Sequence, residues 1–135
     1  MSIWKTRCEA GAAGLLAVAA GLGVRVALGG SVAKYAGDAL YAVLVYTLVV
    51  LVAPRIRPAR AAVAATLVSW GVEFFQLTGL PARWSEESVV ARLVLGSTFN
   101  APDLLWYAVG AGACWAVHRG LSGGRGRMRA AREEK

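Results

Sequence analysis

Histidine, cysteine and acid are scarce in this 135-residue sequence, and each shortage removes a class of function. The one histidine, His118, stands beside Arg119 at the end of an apolar run. A metal centre needs more ligands than that, so His118 reads as an interfacial residue and no metal is expected. Cys8 and Cys114 have neither zinc-ligand nor redox-pair spacing, and read as unpaired small apolar residues. No Ser–His, Cys–His or phosphate-loop constellation is present, so no catalytic residue and no cofactor is nominated. Asp and Glu total 8 against 15 Lys and Arg, for a net charge of +7. The pI is near 10.1. Such an excess can mark a nucleic-acid binder. Here, however, the cations fall at segment ends and in the tail, the pattern that holds a membrane topology, so nucleic acid is not an expected partner.

Apolar residues are abundant instead. They make up 57% of the chain, and the mean hydropathy is +0.52. A soluble domain this small has too little interior for so much apolar side chain, whereas a helical membrane protein covers it with lipid. Four segments have membrane-spanning length, at about 10–28, 37–54, 59–79 and 102–118. The first is rich in Gly and Ala, which let helices approach closely. Its basic start, Lys5 and Arg7, also resembles a leader peptide, but the apolar run continues past any plausible cut. Asp38 is read as opening the second segment, in the manner of a helix cap, and Pro54 and Pro58 as ending it. Gly79 and Pro81 end the third. Asn100 and Pro102 open the fourth.

Between the third and fourth segments lies 82–101, too long for a turn. Val89, Val90, Leu93 and Val94 give it an amphipathic pattern, and Ser85 with Glu87 resembles a helix start. The expected fold is all-α: an integral membrane four-helix bundle in residues 1–120 with a short amphipathic surface helix between helices 3 and 4. A basic tail, 121–135, is expected to be mobile and to face lipid headgroups.

Lys and Arg set the orientation. Lys5, Arg7, Arg55, Arg57, Arg60 and the cations from Arg119 to Lys135 fall on one side, eleven against the four of Arg25, Lys34, Arg83 and Arg92. This bias places both termini in the cytoplasm of a multi-pass protein of the bacterial plasma membrane. Glu73 then lies thirteen residues above Arg60, about 20 Å up its helix. Gln76 neighbours it on the same face.

An intramembrane carboxyl is costly, and such groups usually face a bundle interior or a wet cavity. Asp38, Glu73, Gln76, Arg83, Arg92, Asp103 and Trp106 are therefore the candidate ligand-binding residues of an outward-facing vestibule. A plainer alternative stays open. The aspartates are then helix caps, and Glu73 and Gln76 are interhelical glue.

The stretch Lys34-Tyr35-Ala36-Gly37-Asp38-Ala39-Leu40-Tyr41, the pair Glu73 with Gln76, the run Arg92-Leu93-Val94-Leu95-Gly96-Ser97-Thr98-Phe99, and Asp103-Leu104-Leu105 together resemble the YjgA-like family of small bacterial membrane proteins, a family of unknown function. The order Glu-x-x-Gln, then Arg, then Asp is distantly similar to VanZ-like proteins, associated with teicoplanin resistance. The resemblance covers about 32–110, and departs from the pattern in having Asn100 where an aromatic is expected. It implies four transmembrane helices and no established catalysis.

Three functions follow as expectations. The first is non-enzymatic binding of a membrane lipid headgroup or outer-leaflet amphiphile, with Arg83 and Arg92 on its phosphate or carboxylate. The second is a small transporter or an accessory subunit, as a homo-oligomer or in a larger membrane complex. The third is an intramembrane enzyme acting on lipid phosphates, with Glu73 and Asp103 or Asp38 as acid and base.

Overall fold

Backbone groups in an apolar sequence must be satisfied within the chain, and helices do this locally. The computed structural model describes residues 2–134 and is helical almost throughout. Its elements are α1 (Ile3–Ala27), α2 (Gly30–Val52), α3 (Pro58–Phe75), a 3₁₀ turn (Gln76–Thr78), α4 (Leu80–Glu87), α5 (Val89–Leu95) and α6 (Ala101–Glu133). Three of them are long and apolar enough to cross a membrane: α1, α2, and α3 with its 3₁₀ turn. That fits a membrane protein.

The long helices do not contribute equally to the packing. α2, α3 and α6 pack mutually, while α1 packs chiefly on α2. Small residues make the close approach possible. Ala61, Ala65, Ser69 and Glu73 recur every four residues on α3, and all are buried. Gly110 of α6 lies against the backbone of Ala39 on α2, where a Cβ would collide with the Ala39 carbonyl. Gly14 of α1 leaves comparable room for Thr47 of α2. Leu15, Leu16 and Val26 of α1 stay exposed, as expected of a lipid-facing surface.

Four expectations need correction. α1 begins at Ile3, well before residue 10. α2 begins at Gly30, so Asp38 is two turns inside the helix and caps nothing. The break is the pair Gly29–Gly30, with Gly30 at φ +63°, and residues 31–34 continue the helix. The one surface helix is two, because Ser88 turns extended (φ −142°, ψ 125°) and its Oγ accepts the Ala91 N–H. Ser88 is thus the cap, and Ser85 lies inside α4.

Finally, α6 does not stop at His118 but continues to Glu133 through a stretch with four glycines. Its Arg125 Nη2 is 3.0 Å from Glu9 of α1, which ties this extension to the rest of the fold. Lys135, counted above among the tail cations, lies outside the described residues. Cys8 is exposed, Cys114 is half-buried, and both are free. His118 is not isolated: its Nδ1 lies 2.7 Å from the Tyr46 hydroxyl.

Candidate functional site at the carboxylate end

α2 and α6 begin, and α3 ends, at the same end of the bundle, so the acids of three helices meet there. Glu73 terminates the small-residue stripe of α3 and has no exposed surface. Both of its oxygens are engaged. The Asn100 backbone N–H donates to Oε1 at 2.7 Å. The Tyr107 hydroxyl donates to Oε2 at 3.0 Å. Two good donors offset much of the cost of burying a carboxyl.

Asp103, in the first turn of α6, is also buried. Lys34 Nζ donates to its Oδ1 at 2.8 Å and to its Oδ2 at 3.2 Å. Asn100 Nδ2 adds a bond of 2.7 Å to Oδ1. Asn100 sits at the N-cap position of α6, yet its side chain does not cap the helix. Instead its backbone reaches Glu73 and its amide reaches Asp103, so this one residue links the two acids.

Asp38 follows Lys34 by one turn on α2, and its carboxyl lies within hydrogen-bonding range of Asp103. Its Oδ2 is buried with no hydrogen-bond partner among the described residues. Two adjacent carboxyls repel unless a cation or a proton stands between them, and Lys34 is the one cation paired here. Tyr35 stacks on Trp106 at 5.4 Å, and the Lys34 ammonium lies 5.8 Å from the Tyr35 ring. The Lys34 side chain is 46% exposed, so this edge of the cluster is reachable from outside.

The remaining candidates belong to a neighbouring assembly. Gln76 Nε2 donates to the Leu95 carbonyl at 2.6 Å, and its Oε1 is buried without a partner among the described residues. Ser85 Oγ lies 2.7 Å from the Pro81 carbonyl and 3.0 Å from that of Gly96. Arg92 Nη2 donates to the Ser85 carbonyl at 2.8 Å. These bonds fold α4 against α5, and Gly79 (φ +78°) and Gly96 (φ +68°) supply the left-handed turns on either side. Trp84 packs on Phe75 at 5.8 Å between ring centroids. Arg83 is exposed and makes no hydrogen bond or ion pair among the described residues.

The structure therefore brings Asp38, Glu73 and Asp103 together, with Trp106 at their edge. It assigns Gln76 and Arg92 to holding the α4–α5 cap, and leaves Arg83 outside both groups. Lys34, Asn100 and Tyr107 were absent from the candidate set. The spacings Lys34–Asp38, Asn100–Asp103 and Asp103–Tyr107 were a signal for them, since residues three or four apart share a helix face. Among the described residues no three of His, Cys, Asp and Glu are placed to hold a metal ion.

Residues 27–111 match the model of a protein family described as a protein of unknown function, DUF2809. The chain belongs to that family. The family stretch contains Lys34, Asp38, Glu73, Asn100, Asp103 and Tyr107, and therefore the whole carboxylate cluster. It leaves out nearly all of α1 and the last two-thirds of α6. No curated protein and no solved structure matches the chain.

Proposed function

We propose that this is a multi-pass protein of the bacterial plasma membrane, a four-helix membrane bundle with both termini cytoplasmic and its carboxylate end opening outward. In this reading the first half of α6 is the fourth membrane crossing, and the excess of Lys and Arg at the other end supports the orientation. The carboxylate end binds the headgroup of a membrane amphiphile without catalysis. A protective role akin to that of VanZ-like proteins fits the resemblance carried by Glu73, Gln76, Arg92 and Asp103. The YjgA-like resemblance belongs to the same proposal.

One observation carries the binding reading: the partnerless Oδ2 of Asp38 beside the half-exposed Lys34. Glu73 and Asp103 are occupied by internal donors. Of the three acids, Asp38 alone has an oxygen with no partner among the described residues, and a buried acceptor favours a ligand that brings a donor. A primary-amine headgroup supplies such a donor, and its phosphate can meet Lys34. A quaternary ammonium has no N–H to give. Trp106 and Tyr35 would flank the apolar portion.

Native mass spectrometry of the full chain in nanodiscs tests this. The expected result is preferential retention of phosphatidylethanolamine over phosphatidylcholine by about ten-fold, one charge-assisted hydrogen bond's worth. That preference should be lost in Asp38→Asn. Equal retention of the two lipids by the unaltered chain would sink the proposal.

The one-sided packing of α1, with Leu15, Leu16 and Val26 exposed, favours a second reading as an accessory subunit docked through α1. Crosslinking from α1 in native membranes would capture that neighbour.

A further inference from the structure

The opposite end of the bundle, some 20 Å away along α2, holds a crevice that the carboxylate site does not use. It has a volume of about 300 Å³ and opens where the start of α1, the α2–α3 turn and the middle of α6 converge. Thr6, Arg55, His118, Ser122 and Arg125 supply its polar lining, and Ile3, Pro54 and Ile56 its apolar part. The volume is at the small end of the range for ligand sites and suits a headgroup better than a nucleotide.

Charge at this end is one-sided. Within residues 1–12, 50–62 and 112–126, Glu9 is the single acid against Lys5, Arg7, Arg55, Arg57, Arg60, Arg119 and Arg125. Arg125 answers Glu9 at 3.0 Å, and Arg7 Nε donates to the Leu51 carbonyl at 3.1 Å. Arg55 has no hydrogen bond or ion pair among the described residues, although it lines the crevice. A planar guanidinium with five donors, next to two hydroxyls and an imidazole, suits a tetrahedral oxyanion. Basic pockets at the ends of membrane helices are suited to anionic lipid headgroups.

We infer that this crevice is a phosphate-binding site, with Arg55 as its main contact and the Ser122 hydroxyl as its partner. An anionic phospholipid whose chains lie along the neighbouring apolar helices presents this group. So does a free phosphate compound. The site is independent of the amine-headgroup proposal, since it shares no residue with the carboxylate cluster.

The test uses the full chain in zwitterionic detergent, titrated with phosphatidylglycerol or phosphatidylcholine and read by native mass spectrometry. One saturable phosphatidylglycerol site is expected. Arg55→Gln should weaken it about ten-fold, the loss of one charge-assisted contact. Arg132→Gln, an equal charge change on the exposed end of α6, should leave it unchanged. Ser122→Phe, which fills the crevice without altering charge, should abolish it, with helicity by circular dichroism confirming the fold of each variant. Competition by excess inorganic phosphate would assign the site to a free phosphate group, and its absence to the lipid. Equal binding of the two lipids, or equal losses in Arg55→Gln and Arg132→Gln, would overturn the inference.

Discussion

At the end where α2 and α6 begin, Asp38, Glu73 and Asp103 are drawn inward, and Glu73 and Asp103 are held by named donors. At the end where α1 and α3 begin, Arg55, Arg57 and Arg60 stay on the surface. The difference follows from side-chain length. An arginine in a membrane protein reaches the headgroup layer on its own flexible stem. A carboxylate cannot reach so far, so it must be satisfied where its backbone puts it. The acid end is therefore built into the packing, and the basic end is added to it.

Glu73 offers the largest break in that comparison. Glu73→Ala orphans the Asn100 N–H and the Tyr107 hydroxyl in a closed interior, and should cost about 3 kcal/mol in detergent-titrated unfolding. Glu73→Gln keeps an acceptor for Asn100 and should cost about 1 kcal/mol. A loss for Glu73→Ala no greater than for a surface arginine would erase the contrast between the ends.

Asp38→Asn sharpens it from the other direction. The new amide can donate to Asp103 and removes the repulsion between neighbouring carboxyls, so stability should rise by about 1 kcal/mol while amine selectivity falls. A drop in stability would mean that Asp38 belongs to the packing as Glu73 does. The smallest effect is expected at the basic end. Arg125→Gln breaks an exposed pair with Glu9 and should change stability by about 0.5 kcal/mol or less in the same assay.

Much of the helix layout was legible in the chain because apolar length and Gly/Pro punctuation act locally. Gly79, Pro81 and Pro102 stand where the sequence reading put helix boundaries. The burial of Glu73 and Gln76 was also legible, since two polar residues on one face of an apolar helix have few other places to go.

Three features were not legible, each for a different physical reason. Asp38 looked like a cap because aspartate is a favoured N-cap residue, but the chain reverses at Gly29–Gly30 and needs no more loop than that. Arg92 looked like a ligand contact in the same vestibule as the acids, but the break at Ser88 turns α5 so that the guanidinium meets the Ser85 carbonyl. The glycines after Arg119 argue against a helix by propensity, at about 1 kcal/mol each relative to alanine. The helix persists there nonetheless, with Arg125 held at Glu9.

α6 is unbroken over 33 residues, about 50 Å of rod. Asp103, held by Lys34 and Asn100, sits close to one extremity, and Glu133 ends the other. A rod has no slack, so a tilt of about 10° at Asp103 sweeps Glu133 through about 8 Å. Whatever disturbs the Lys34–Asp103 pair at one end of the bundle is thereby amplified into a displacement at the other end.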